Sequence, residues 1–152
     1  MKTINMSNEN FMDIYTFVGY MSKLAMDCLN VKNVPYVISY DLEEHVWGST
    51  TADEDGVRCV LINVNQTMDQ MINTIFHETR HVYQYQTYKR YMSWRFKRVI
   101  KRTKPRSFLQ YYFQPIEIGA RLYAYYAMKK YKRQINNLVQ AYKDKVLTFE
   151  LY

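Results

Sequence analysis

The feature that most constrains the fold is a short apolar run followed almost at once by a helical pattern. Residues 57–64 are nearly all apolar, which is typical of a buried β-strand. Thr67 and Gln70 then match a capping box, in which two side chains bond to free N–H groups at the start of a helix. The pattern predicts a helix over residues 67–88. Its core face carries Met68, Met71, Ile72, Ile75, Thr79 and Val82.

The chain before this unit contributes one helix and two further strands. Residues 7–30 carry apolar side chains at spacings of three and four, which predicts an N-terminal helix. Residues 34–40 are rich in β-branched and aromatic side chains and predict a strand, and residues 44–50 predict a weaker one. Asp and Gly residues over 52–56 are typical of a turn before the third strand.

The chain after this unit is basic and then helical again. Residues 89–106 form a connection that Pro105 interrupts. Pro115 lies where the first residue of a helix belongs, and this helix is predicted to run past Tyr131, with another over 134–145. The order is N-terminal helix, small three-stranded sheet, central helix, basic connection and C-terminal helix. It predicts an α+β fold with segregated elements, in a single domain over all 152 residues.

Composition bears on the compartment. Residues 1–10 lack the pattern of a signal peptide, and no apolar stretch is long enough to span a bilayer. Cys28 and Cys59 are far apart, as expected of buried thiols in a reducing compartment. These features predict a cytoplasmic protein with no membrane partner. Glycine is scarce while lysine, asparagine and tyrosine are abundant, which suggests an AT-rich genome such as that of a phage.

The five residues His77-Glu78-Thr79-Arg80-His81 form an HExxH motif inside the predicted central helix. Two histidines four residues apart project from one face on successive turns, so both imidazoles can reach one zinc ion. Glu78 is rotated by about 100° from His77, which lets it act as a general base on a water beside the metal. The alternative is a helix surface that merely carries two histidines.

A catalytic zinc normally has three protein ligands and one open position. Both cysteines precede the motif, and only three carboxylates follow His81, namely Glu117, Asp144 and Glu150. Glu117 lies in the first turn of a predicted helix and is the predicted third ligand. A carboxylate at this position could instead complement the positive end of the helix dipole.

The combined pattern is similar to that of a known family. The strand, the HExxH segment over residues 77–84 and the segment over residues 114–120 together resemble the small gluzincins, or minigluzincins. This family includes zinc peptidase-like proteins of bacteria and their phages. The resemblance covers roughly residues 34–126.

The resemblance implies a zincin-like fold and a zinc-dependent metallopeptidase that hydrolyses peptide bonds. It implies zinc bound by His77, His81 and Glu117, with Glu78 as the general base. It also implies that residues 57–64 form an edge strand that pairs with an extended peptide substrate.

Two positions depart from the family pattern. Larger gluzincins such as thermolysin carry an Asp four residues after the ligand glutamate, where it orients a zinc histidine, and this chain has Arg121 there. Gly119 occupies a position expected to be acidic in many close relatives. The sequence therefore does not identify the partner that orients the imidazoles.

The sequence also does not choose among the candidates for stabilising an oxyanion, which are His45, Tyr111, Tyr112 and Arg121. Tyr85 shares the face of His81 and is predicted to line the pocket.

The charge distribution supports a second hypothesis. Residues 1–80 contain 5 Lys or Arg against 11 Asp or Glu, whereas residues 81–152 contain 16 against 3. Residues 89–106 hold 9 of these cations with Tyr91, Trp94 and Phe96 among them, and residues 129–133 add a second cluster. Such a segment could be a solvated connection, or it could attract an acidic substrate. The chain could also be a non-catalytic phage- or plasmid-type binding protein on a zincin scaffold, engaging nucleic acid or a host protein through the basic segment.

Overall fold

The computed structural model describes residues 8–40, 42, 46–52, 56–87 and 114–144, and these form an α+β fold with a small sheet. The predicted order of helices and strands is confirmed for this part of the chain, whereas the basic connection over 89–106 lies outside the described residues. The elements are α1 (Asn8–Leu29), β1 (Tyr36–Ser39), β2 (Gly48–Ala52), β3 (Val57–Asn63), α2 (Met68–Thr87), α3 (Pro115–Lys130) and α4 (Lys132–Lys143).

The sheet has the strand order β1-β3-β2, with β3 parallel to β1 and antiparallel to β2. Val60 of β3 is the register partner of both Tyr36 and Thr50. The expectation that residues 57–64 form an edge strand is therefore wrong, because β3 is hydrogen-bonded on both sides. Val60 and Ile62 of this strand lie fully buried in the core. Within the described sheet, the edge strands are β1 and β2.

Helix α2 follows β3 after a short turn, and its start has the predicted capping box. The Thr67 N–H donates to Gln70 Oε1 at 2.9 Å, and the Gln70 N–H donates to Thr67 Oγ1 at 3.3 Å. Both bonds satisfy amide groups that have no partner inside the helix. The predicted core face is also present, with Met68 partly buried and the other five predicted residues fully so.

The core lies around α2, which packs against α1, α3 and the sheet. Its largest fully buried side chains include Phe17 and Met21 of α1, Ile62 of β3 and Phe76 of α2. One face of α2 is thus fixed by apolar packing, and this holds the polar residues of the same helix in a defined orientation toward α3. No helix in the described ranges has the length and apolar character needed to cross a membrane.

The C-terminal helices differ from the prediction at one boundary. Helix α3 ends at Lys130 rather than running past Tyr131, and α4 begins at Lys132 rather than at residue 134. Tyr131 leaves the helical region with φ −101° and ψ 18°. This turn allows Ile135 to enter the core, while Tyr142 packs on Phe17 of α1 with ring centroids 5.2 Å apart.

Candidate metal centre

Helix α2 brings His77 and His81 together on one face. Their ring centroids are 4.7 Å apart with an interplanar angle of 83°, and their Nε2 atoms are 3.1 Å apart. This geometry follows from the four-residue spacing, which stacks side chains on successive turns. Two ring nitrogens at this distance need a proton or a metal ion between them, since both are otherwise acceptors.

Glu117 approaches the two histidines from α3. Its Oε2 is 3.3 Å from His77 Nε2, and its Oε1 is 3.4 Å from His81 Nε2. Pro115 starts α3 at its first turn, so Glu117 projects from the helix end that faces α2. Donor atoms held at 2.0–2.1 Å by a tetrahedral zinc ion would be about 3.3 Å apart. The three side chains thus already have a spacing that suits such an ion.

The buried charges of this cluster favour a cation. Burial acts to lower the pKa of His81, but its hydrogen bond to Glu117 and the charges of Glu78 and Glu117 outweigh burial and raise it. Burial acts to raise the pKa of Glu117, but its contacts with His77 and His81 outweigh burial and hold that pKa below its usual value. Glu117 Oε2 is also buried, and its approach to His77 Nε2 at 3.3 Å lacks hydrogen-bond geometry. A buried carboxylate oxygen without a well-aligned donor is suited to a metal ion.

Glu78 lies beside this cluster and is held by the sheet. It is buried, and its Oε2 accepts a hydrogen bond of 2.7 Å from Thr50 Oγ1 on β2. The ligand atoms of His77, Glu78 and His81 all lie within 4.8 Å of one another, so this group could hold a metal ion. The Glu117 carboxylate is 3.3–3.4 Å from the two imidazoles. The Glu78 carboxylate instead has a hydrogen-bond partner in Thr50.

The approach of β2 to α2 depends on Gly48. A Cβ atom at this position would lie 2.6 Å from Thr74 Cγ2 and 3.0 Å from Glu78 Cγ. Only glycine allows the strand to come so near, and this proximity places Thr50 within reach of Glu78. Neither residue could be predicted as part of the site, because a Gly and a Thr in a weak strand form no motif.

Gln84 ends the HExxH segment over residues 77–84, and no role is predicted for it from the sequence. Its Oε1 is 2.8 Å from His81 Nδ1, and its Nε2 donates to the Ile116 carbonyl of α3 at 3.3 Å. It lies three residues after His81, a spacing at which helical side chains meet. The spacing HExxHxxQ is therefore the sequence signal that could identify this contact.

The other residues considered from the sequence have different outcomes. Asp144 ends α4, where its carboxylate accepts hydrogen bonds from Gln140, so it has a local role. Arg121 lies one turn after Glu117 on α3 and is half-buried. Tyr85 is half-buried as well; burial raises its pKa, and the charges of Glu117 and Glu78 raise it further. The remaining candidates lie outside the described residues: His45, Tyr111, Tyr112 and Glu150.

The chain matches no protein-family model, no curated protein sequence and no solved structure. A function is therefore proposed from the geometry of His77, Glu78, His81 and Glu117 and of the residues that hold them.

Proposed function

We propose that the chain is a zinc metallopeptidase of zincin-like fold, related to the small gluzincins, in which His77, His81 and Glu117 bind the metal. The observation that carries this proposal is the spacing of three donor side chains at 3.1–3.4 Å, from two different helices. Two imidazoles and one carboxylate are a ligand set of catalytic zinc sites, in which a fourth position stays open. The identity of the metal as zinc is part of the proposal.

Glu78 is better suited to be the base than a ligand. The Thr50 hydroxyl donates to its Oε2, which leaves Oε1 as the oxygen that can accept a proton. When bound, zinc would polarise the substrate carbonyl and lower the pKa of the attacking water. Glu78 would take a proton from that water as the water oxygen bonds to the carbonyl carbon. The same carboxylate would then pass the proton to the amine as the C–N bond breaks.

The substrate would lie along β2. This strand is the described edge strand next to Glu78, and its side away from β3 has no described neighbour. An extended peptide can add to such an edge through main-chain hydrogen bonds. Pairing with β2 would bring a scissile bond close to Thr50 and Glu78, which replaces the earlier expectation of pairing with residues 57–64.

The test begins with metal content. Protein purified without chelator should contain one zinc per chain, and His77→Ala and Glu117→Ala should each lose it. Glu78→Gln should keep its zinc while losing cleavage of a quenched-fluorescent peptide library. Wild-type protein that binds no zinc after reconstitution would refute the site. Cleavage retained by the zinc-loaded Glu78→Gln variant would refute Glu78 as the base.

A second candidate function is binding without catalysis. Lys129, Lys130, Lys132 and Arg133 are exposed where α3 meets α4, and Tyr125 and Tyr126 beside them are 51% and 62% exposed. Exposed cations next to aromatic rings can contact phosphates and stack on bases. The basic segment over 89–106 lies outside the described residues.

The two candidates separate in one set of variants. Replacing Lys129, Lys130, Lys132 and Arg133 by Ala should weaken binding to single-stranded DNA and flatten its salt dependence if the second candidate holds. The Glu78→Gln protein should then bind DNA as the wild type does. A wild type without measurable DNA affinity at low salt would remove this candidate.

A further inference from the structure

Gln84 joins the two helices that supply the metal ligands. Its side chain is buried, and it contacts His81 on its own helix and the Ile116 carbonyl on α3. Ile116 is the residue before Glu117, so one amide reaches both a candidate ligand and the backbone beside another. A glutamine can serve both partners because its amide carries an acceptor oxygen and a donor nitrogen.

The two contacts fix the orientation of the amide. The Ile116 carbonyl can only accept, so the amide nitrogen of Gln84 must face it. Oε1 must then face His81 Nδ1, which has to carry a proton to donate to it. In the neutral imidazole this leaves the lone pair on Nε2, the atom that points toward His77 and Glu117. The network thus selects the tautomer that can bind a metal.

Gly119 provides the space for this amide. The nearest group to a Cβ atom built at Gly119 is Gln84 Nε2, at 3.5 Å. A methyl group would fit there, but a longer side chain would enter the volume that the amide occupies. The glutamine on α2 and the glycine on α3 therefore form a complementary pair.

We propose that Gln84 is a positioning residue for the metal centre, holding His81 in its Nδ1–H tautomer and fixing the start of α3 beside Glu117. This rests on the proposed zinc site and extends it to a residue that binds no metal itself. Gln84 is also neutral, so the centre has one negative charge fewer than it would with a carboxylate in this role.

Two variants of Gln84 separate positioning from packing. Gln84→Leu removes both hydrogen bonds. Gln84→Glu keeps an acceptor for His81 Nδ1 but cannot donate to Ile116. Gln86→Leu is the matched control, because Gln86 also makes two hydrogen bonds, to the backbone N–H and carbonyl of Lys32, without touching a histidine.

Zinc affinity is measured by competition with a chromophoric chelator, and the His81 tautomer by long-range ¹⁵N–¹H NMR of the metal-free and zinc-loaded proteins. We expect Gln84→Leu to bind zinc about 10–100-fold more weakly, as is typical when the partner of a ligating histidine is removed. Gln84→Glu should bind within a few-fold of wild type or more tightly, and Gln86→Leu should bind as wild type. In the metal-free proteins the Nδ1–H tautomer should dominate in all variants except Gln84→Leu, whereas zinc on Nε2 should give this tautomer in every variant.

Each outcome decides a different point. Zinc affinity of Gln84→Leu within three-fold of wild type would overturn the positioning role and leave the zinc site intact. Equal losses in Gln84→Leu and Gln84→Glu would overturn the control of the His81 tautomer, because they would show that only the hydrogen bond to the Ile116 carbonyl matters for zinc binding. A wild type that binds no zinc would overturn the metal centre itself and the role of Gln84 with it. Thermal melting of each variant identifies any loss that comes from unfolding.

Discussion

The hydroxyl of Thr50 donates a hydrogen bond of 2.7 Å to the carboxylate of Glu78, and this contact joins the edge strand β2 to helix α2. It connects two segments that are 28 residues apart in the chain. For the general-base role proposed for Glu78, an orientation fixed before the reaction is an advantage. Thr50 provides this constraint without adding a charge to the site.

Replacing Thr50 by Val keeps the shape of the side chain and removes the hydrogen bond. Since hydrogen bonds to charged groups contribute about 1.5–3 kcal/mol, we expect kcat to fall by roughly tenfold or more. Zinc content should not change, because Thr50 contacts none of the metal ligands. Steady-state kinetics with a fluorogenic peptide would measure the effect, and Thr50→Ser should restore most of the rate. Equal loss in Thr50→Ser and Thr50→Val would argue against the hydrogen bond.

Gly48→Ala tests the close approach of β2 to α2. The added methyl group would collide with Thr74 and Glu78, so we expect the free energy of unfolding to fall by about 1–3 kcal/mol. Gly119→Ala is the matched control, because its methyl group would meet only Gln84 Nε2 at ordinary contact distance. It lies within a helix and should be neutral or stabilising by up to ~1 kcal/mol. Urea denaturation of both variants measures the difference, and similar values would contradict the packing at Gly48.

Zinc should stabilise the folded protein, because the unfolded chain cannot keep three ligands together. At free zinc 100-fold above Kd, linkage adds about 2.7 kcal/mol. For a chain of this length that corresponds to an increase in Tm of about 5–10 °C. Differential scanning fluorimetry with and without chelator would measure it, and His77→Ala should show almost no shift. An equal shift in His77→Ala would mean that zinc binds elsewhere.

The helix that bears the site could be predicted because its signals are local. The capping box at Thr67, the apolar stripe and the HExxH spacing all lie within one helix and depend on its period alone. Glu117 is predicted as a ligand because few carboxylates follow His81 in the chain. Helix α3 brings its Oε2 to 3.3 Å from His77 Nε2. The geometry of these side chains was thus anticipated, while their role as ligands stays a prediction.

The order of the strands could not be predicted in the same way. An apolar run shows that a strand is buried, but it does not show which strands flank it. The resemblance to the small gluzincins implies an edge strand over residues 57–64, whereas β3 lies in the centre of the sheet and β2 is the edge strand next to Glu78. Thr50 and Gly48 were missed for the same reason, since their contacts with Glu78 depend on how β2 packs on α2.

The end of α1 provides a test that is independent of function. Asn30 follows Leu29 with φ 50°, in the left-handed region that favours glycine and asparagine. Its N–H donates to the Asp27 carbonyl at 3.2 Å, and the Val31 N–H donates to the Met26 carbonyl at 3.2 Å, which together form a Schellman motif.

Asn30→Ala places a Cβ-bearing residue with no local polar side chain in this conformation, so we expect it to lower the free energy of unfolding by about 1 kcal/mol. Asn30→Gly removes the strain and should leave stability unchanged or slightly higher, because the greater entropy of glycine in the unfolded chain offsets part of the gain. Urea denaturation of both variants gives the comparison, and zinc affinity should equal that of the wild type in each. If alanine proved as stable as glycine at this position, the left-handed end of α1 would be contradicted, with no consequence for the metal centre.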